Sequence, residues 1–372
     1  MKIAINAQNL THRETHGISQ YLFNLIEALQ RVDSRHQYVL FSGKPLVHFP
    51  EGKQYVGQLV KPKRGVSYLG MPLAMRKESF DLAFVPRETV PFGLKVPTVI
   101  TAFDLFASIC SQEIKAEFSI LSRMHYYLAT QFHFKRADRI LTISEDTKKD
   151  LIEHCGIPSE KIRVTPLGVD PLVFHKRPSD EMIPVLKKYG IVSPYFINTS
   201  SRWWSRKNLV RVIEAFALFR LNSQDAFQLI ITGSKGPVFD KMRDTIAKHA
   251  LGEHVKLLEY VKDGDLPYLL SGAIALVFPS LHEGFGLPIL EAMACGCPVV
   301  TSNTSAIPEA AGKAALYVDP FDCGSIADGM KQIWENTVMR EKFVIQGLER
   351  SRAFSWESTA KKTLQTFDEL IG

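Results

Sequence analysis

The chain has 372 residues, of which 45% are apolar and 23% charged, and a formal net charge of +6. That length is too great for one core of ordinary size and predicts two domains, and the balance of residue types excludes a disordered chain. The positive balance, with a pI near 8.9, suits an anionic substrate, an anionic membrane surface or nucleic acid without choosing among them.

The chain opens directly on a strand, Lys2 to Asn6, with no apolar leader. No apolar run approaches the ~18 residues a membrane span needs, so the expectation is a cytoplasmic protein, at most resting on the inner face of a membrane. A polar loop through Thr11, His12 and Thr15 reaches Gly17, and Ile18, Leu22, Leu25 and Leu29 then mark one face of a helix. Further strands read at Tyr38–Phe41, Leu82–Val85, Val99–Ala102 and Ile140–Ile143, with helical patterns between them. This alternation predicts a parallel, doubly wound α/β sheet. Phe103-Asp104-Leu105 follows the third of these strands, and Asp104 fits either a helix N-cap or a ligand-facing carboxylate.

The segment Met124 to Arg139 mixes aromatics, basic residues, His125 and His133. It reads as a basic aromatic face for a membrane or lipid-linked acceptor, or as a buried helix with a charged end. The plainer, buried reading is preferred, since charge runs are usually solvated faces. Lys61, Lys63 and Arg64 add positive charge that nothing in the sequence assigns to the same face. The two histidines lack a carboxylate at ligand spacing, so no metal site is expected. The five cysteines, Cys110, Cys155, Cys295, Cys297 and Cys323, are odd in number and include no C-x-x-C pair. They fit a reducing compartment.

Glu145–Cys155 reads as a helix, and Pro166-Leu167-Gly168-Val169-Asp170 ends the first half. The polar, proline-bearing stretch from Pro171 to Pro194 suits a linker with a short helix. The second half alternates again. Tyr195–Thr199 is a strand, Ser205-Arg206-Lys207-Asn208 precedes a helix from Leu209 to Phe219, and Phe227–Thr232 and Val255–Val261 are strands. Gly233-Ser234-Lys235-Gly236 reads as a loop facing a ligand, and Trp203-Trp204 are unusual beside the cations.

Next comes the most informative stretch, Ala273 to Cys297. An apolar run at Ile274–Phe278 feeds a loop with Gly284 and Gly286, and Pro288 opens a helix that ends near Gly296. Strand, glycine loop and helix N-terminus together are a way to hold an anion, because unpaired N–H groups and the positive dipole end face the ligand. Glu283 and Glu291 flank that loop. Pro298–Thr301 is a further strand, and helices at Ser325–Asn336, Arg340–Ala353 and Trp356–Leu370 finish the chain.

Glu283 and Glu291, seven residues between them, with Gly-Phe-Gly-Leu-Pro inside that interval, resemble the signature of retaining glycosyltransferase family 4. The resemblance covers nearly the whole chain and implies the GT-B fold, two facing Rossmann-like domains. Residues 1–170, with 356–372 crossing back, would bind the acceptor, and 171–355 would bind a nucleotide-sugar donor. It implies that Gly17 lets the donor diphosphate approach the backbone, although His16 stands where many relatives have a second glycine. It implies a diphosphate clamp of Lys207 with Arg202 or Arg206 and a nucleotide-facing Gly233. Glu291 would hold the ribose, and Glu283 would bind the sugar with the N–H groups of Phe285, Gly286 and Leu287. Ser305 to Glu309 resembles a small loop beside the donor. Asp104 would serve the acceptor side, and Phe103 replaces the histidine common in relatives.

The implied reaction is transfer of a sugar from a GDP-, UDP- or dTDP-sugar to a glycan or lipid-linked acceptor, without cofactor or obligatory metal and without nucleic acid as partner. Mannose, in bacterial polysaccharide or lipopolysaccharide assembly, is the favoured case. The alternatives are a GT-B epimerase or phosphorylase, and a non-catalytic nucleotide-sugar-binding or scaffold protein, which Phe103 brings to mind.

Overall fold

The computed structural model describes residues 1–372 except 12–16, 48–53, 63–64, 106–116, 118, 193, 222–225, 260 and 263, and the side chain of Thr11. His16, Lys63, Arg64 and Cys110 therefore lie outside the described residues. The chain divides into two units, one of residues 1–168 with 355–372 and one of residues 169–354.

The first unit holds strands β1 (Lys2–Asn6), β2 (Gln37–Ser42), β3 (Tyr55–Leu59), β4 (Leu82–Val85), β5 (Thr98–Ala102), β6 (Arg139–Thr142) and β7 (Ile162–Val164). They form one sheet in the order β3-β2-β1-β4-β5-β6-β7, parallel throughout. Consecutive residues of the central strands, such as Ile3, Ala4 and Ile5, are all buried because helices cover both faces. The helix Ile18–Val32 buries Tyr21, Leu22, Leu25, Ile26 and Leu29 along one face. The final helix, Trp356–Ile371, returns to this unit and buries Trp356, Ala360, Leu364 and Phe367. Its entry depends on Gly168, where a Cβ would lie 2.1 Å from the Trp356 nitrogen. Only glycine permits so close an approach.

The second unit holds β8 (Tyr195–Arg202), β9 (Gln228–Ser234), β10 (Val255–Leu258), β11 (Leu276–Phe278), β12 (Val299–Ser302) and β13 (Leu316–Val318). Their order is β10-β9-β8-β11-β12-β13, again all parallel. In each sheet the strand order reverses once, between β1 and β4 and between β8 and β11. The loops leaving the two strands at such a point diverge, and the crevice beyond their carboxyl ends is where open α/β sheets bind ligands.

Two departures from the sequence reading have physical reasons. Strands β3, β7 and β13 were not anticipated, and all three sit at sheet edges. There one side of a strand is open and the apolar signal thins, as in β3, where Val56, Gly57 and Leu59 are exposed. The segment from Met124 to Arg139 was expected to be a buried helix, and this is corrected. The helix Ile120–Leu128 has no buried residue, and only Ala129, His133, Phe134 and Ala137 further on enter the core. Among the described residues, no helix is long and apolar enough to cross a membrane.

Candidate active site

At the reversal point of the second sheet, β8 ends in a bulged turn that carries Lys207, and β11 ends in the loop that carries Glu283. The turn is rigid for reasons local to the sequence. Trp203 is fully buried, stacks on Phe239 at 5.7 Å and donates its indole N–H to the Thr232 carbonyl at 3.2 Å. Asn208 adopts a left-handed backbone, φ 60°, and its amide donates to the carbonyls of Pro279 at 3.0 Å and Pro320 at 2.6 Å. One side chain thus ties the turn to the ends of β11 and β13. The Leu281 N–H donates to the Arg206 carbonyl at 2.8 Å and closes the two loops on each other.

These constraints bring the charges together. Lys207 Nζ lies 2.7 Å from Glu283 Oε1, and an Arg206 guanidinium nitrogen lies 2.8 Å from Glu283 Oε2 and from the His282 carbonyl. Lys207 and Glu283 are both buried. The sequence left the arginine open between Arg202 and Arg206, and the geometry brings Arg206 to Lys207. Arg202 is exposed and lies over the Trp204 ring at 4.8 Å. Two cations beside a helix start look costly in sequence, yet Glu283 already offsets one of them. Together the three side chains carry a formal charge of +1.

Burial by itself would raise the Glu283 carboxyl. The charges of Arg206 and Lys207 and hydrogen bonds from Lys207 and Ser280 overcome it and hold the group at about 2. Glu283 is therefore a carboxylate at any neutral pH, an acceptor of hydrogen bonds and no proton donor. Ser280 Oγ sits 2.6 Å from Glu283 Oε1 and 2.8 Å from the Arg206 carbonyl, and its one proton serves one of them at a time. Ser305, at φ 46°, accepts the Glu283 N–H on its hydroxyl at 2.8 Å.

Beyond Glu283, Gly286 takes φ 104° and starts the helix Leu287–Ala294, with Pro288 in its first turn. The N–H groups of Phe285, Gly286 and Leu287 have no acceptor among the described residues. They stand at the positive end of the helix beside a cluster of net positive charge, which is an arrangement for an anion. Glu291 is buried inside the same helix. Gly233 has an internal reason to be glycine. Its φ is 133°, and a Cβ would meet the Ser200 carbonyl at 2.1 Å and Trp203 Nε1 at 2.9 Å. The requirement comes from packing, so the residue type by itself does not argue for a nucleotide contact.

The first unit brings its own residues to the ends of β1, β4 and β5. Gly17, φ 42°, heads its helix, with nothing within 4 Å of where a Cβ would sit. Phe103 meets Tyr21 edge-on at 5.0 Å, so apolar packing takes the place of the histidine the resemblance suggested. Asp104 follows it. Residues 106–116, which would decide whether Asp104 caps a helix, lie outside the described residues. Glu88, in the loop after β4, was missed in the sequence. Burial raises its carboxyl to about 7, with the charge of Asp104 adding and the N–H groups of Glu88 and Phe103 and the Arg87 charge opposing. Its sequence signal was a carboxylate just past a strand's carboxyl end, in Pro-Arg-Glu-Thr. His133 is buried and accepts the Val90 N–H at 3.2 Å, a structural role. Among the described residues, no group of three or more His, Cys, Asp or Glu is placed to hold a metal, and the four described cysteines are free.

Residues 186–350 match the family model for glycosyl transferases group 1, and residues 15–171 match the model for glycosyltransferase family 4. O-antigen chain mannosyltransferase B of Escherichia coli is 33% identical over 231 residues, 62% of this chain and 60% of that protein. Serotype-specific mannosyltransferase WbdA of Escherichia coli is 27% identical over 291 residues, 77% of this chain and 35% of that protein. The chain thus spans about a third to three-fifths of the length of these relatives. HepE from Anabaena, solved in complex with UDP-glucose, matches over 100% of both chains with a TM-score of 0.77 and 17% identity. Two doubly wound parallel units and this likeness make the fold GT-B.

Two pH dependences follow from the buried carboxyls. The Glu283 contribution to stability is complete above its ordinary value near 4.5 and is lost as pH falls toward 2. Glu283→Gln should flatten the acid-side fall in Tm between about pH 5 and pH 3, and a variant with the wild-type slope would rule the pairing out. Glu88 has the opposite sign. Its folded value lies above its unfolded one, so a penalty grows as pH rises from about 4.5 to about 7 and persists above. Glu88→Gln should raise stability at pH 8, by on the order of 1–3 kcal/mol, and change little at pH 4, as read by denaturant melts.

Proposed function

This chain belongs to the group 1, family 4 glycosyltransferases, and on that footing we propose that it moves a sugar, mannose by preference, from a nucleotide-diphosphate donor to a glycan or lipid-linked acceptor in bacterial polysaccharide assembly. The observation that carries this reading is the Lys207–Glu283–Arg206 cluster beside the three unpaired N–H groups at the start of Leu287–Ala294. The names of the relatives, both mannosyltransferases, support the choice of sugar. The UDP-glucose held by HepE supports a nucleotide-sugar donor.

On this reading the second unit binds the donor. The diphosphate takes the net positive charge of the cluster and the helix N-terminus, and their attraction grows as the bond from the anomeric carbon to the diphosphate breaks and negative charge develops. Lys207 and Arg206 supply the charge a metal would otherwise bring, so the transfer is metal-independent. Glu291 holds the ribose. Glu283, ionised and acceptor-only, takes a hydrogen bond from a donor-sugar hydroxyl. The acceptor oxygen attacks the anomeric carbon on the face the diphosphate leaves, and its proton passes to the departing phosphate oxygen. Configuration is retained and no side-chain base is required, which accords with Phe103 standing in a packing role. Glu88 and Asp104, past the ends of β4 and β5, orient the acceptor in the first unit, and the enzyme works in the cytoplasm.

We infer further that the first unit rests on an anionic membrane surface. Ile120, Leu121, Met124, Tyr127 and Phe132 are all exposed along one run of helix. The unit has 24 lysines and arginines against 19 aspartates and glutamates, so it holds five of the chain's six net positive charges. An apolar helical face with cations beside it binds lipid by burial and by charge together.

Thermal shifts with GDP-, UDP- and dTDP-sugars test the donor site. Saturation at about 100 times Kd adds about 2.7 kcal/mol, and one base should stabilise the protein. Lys207→Ala should abolish that shift and lower kcat/KM about 100-fold or more. A wild-type protein stabilised by none of them defeats the reading. For the membrane, vesicles with about a third anionic lipid should sediment the wild type and neutral vesicles should not, with Leu121→Glu/Met124→Glu losing the effect. Equal recovery on both vesicle types would set this part aside.

A further inference from the structure

The helix Thr337–Arg352 lies far in sequence from every residue assigned above, yet it bears on both loops that frame the candidate donor site. Gly347 lets it approach the helix Leu287–Ala294, for a Cβ there would meet Met293 at 3.1 Å. One turn later Arg350 reaches the short helix Ile307–Ala311. Its guanidinium donates to the Ala310 carbonyl at 2.9 Å and also to the Glu309 carbonyl. These carbonyls lie at the end of a short helix and carry the negative end of its dipole, so a cation there steadies them. Gly312 makes room for it, since a Cβ would sit 3.2 Å from Arg350 Nε.

The same guanidinium lies over the Phe354 ring, 4.7 Å from its centroid, and Phe354 meets Phe285 edge-on at 5.5 Å. Phe285 is the buried residue between Gly284 and Gly286. Two routes therefore run from one side chain to one loop. The first passes through Glu309 and Ala310 to the start of their helix, where the Ser305 hydroxyl accepts the Glu283 N–H. The second passes through Phe354 and Phe285 to Gly286, whose own missing Cβ would lie 3.5 Å from Ala310. The routes meet again at that contact, so the Glu283–Leu287 loop and the Ser305–Ala311 segment are fixed relative to each other by Arg350.

We propose that Arg350, with Phe354, is a positioning residue of the transfer reaction, one that holds the Glu283 carboxylate and the unpaired N–H groups of Phe285–Leu287 in the geometry a nucleotide-sugar requires. It touches no substrate. The inference rests on the donor-site reading given above. The planar fork matters to it, because its Nε–H and Nη2–H are held at the fixed spacing of the two carbonyls while its face covers the ring, whereas a lysine ammonium is a compact point donor without that fixed geometry.

The experiment compares wild type with Arg350→Ala, Arg350→Lys, Phe354→Ala and Phe354→Leu. Binding of GDP, UDP and dTDP is measured by calorimetry, and the diphosphate that binds the wild type is carried into the variants. Arg350→Ala should weaken it tenfold or more, Arg350→Lys should recover part of the loss, and Phe354→Leu should lie between Phe354→Ala and wild type. Backbone hydrogen exchange gives a second readout independent of ligand. Exchange in residues 283–291 and 305–311 should quicken at least tenfold in Arg350→Ala, with β8 and β9 unchanged. A merely structural role would quicken exchange throughout the second unit or nowhere. Wild-type affinity in Arg350→Ala, or uniform exchange, overturns the proposal and leaves the donor site standing. A wild-type protein that binds none of the three diphosphates defeats the donor site and this inference with it. If Arg350→Ala does not fold, the Phe354 pair decides by the same two measurements.

Discussion

One buried carboxylate organises the second unit. Glu283 could not remain charged away from water without close cations, and leaving either side unpaired would cost several kcal/mol. Its compensation by Lys207 and Arg206 requires two loops, 76 positions apart in sequence, to end at the same place. Much of the local architecture follows from that demand. The left-handed Asn208 holds the turn, Trp203 nails it to the sheet, and Ser305 orients the Glu283 backbone. The doubly wound order of the strands makes β8 and β11 neighbours, so that the loops leaving their carboxyl ends can meet.

Two cations face this one carboxylate, so the three side chains carry a formal charge of +1. That charge and the three unpaired N–H groups at the start of Leu287–Ala294 add in the same direction. A glutamate between two cations lowers the cost of burying them, which a neutral residue there would not do.

The interior of both sheets was readable in the chain because buried parallel strands are continuous apolar runs, as in Ile3–Ile5 and Leu276–Phe278. The edges were not, since β3, β7 and β13 are short and only partly covered. Among site residues, Glu283, Lys207 and the Gly286 turn were visible as a local pattern of loop, glycine and helix start. That Arg206 and not Arg202 reaches Glu283 was not, for it depends on the turn after β8, which leaves Arg202 over Trp204 and sets Arg206 against Glu283. Glu88 and Arg350 escaped for a related reason. Glu88 had only the weak mark of a carboxylate past a strand end and Arg350 none, and each acquires its meaning from a partner at least 15 positions away. The exposed face of Ile120–Leu128 shows the converse, a helix whose aromatic and aliphatic residues suggested burial and received none.

The Ser280 hydroxyl has a consequence for how the loop tolerates change around it. Its single proton has three acceptors within reach, Glu283 Oε1 at 2.6 Å, the Arg206 carbonyl at 2.8 Å and the His282 carbonyl at 3.3 Å. Whichever acceptor holds the proton, exchange to another needs only a rotation about one bond. Such a rotor turns in picoseconds to nanoseconds and moves no backbone. The hydrogen bonding around the Glu283 carboxylate can therefore rearrange while the loop that carries it stays in place.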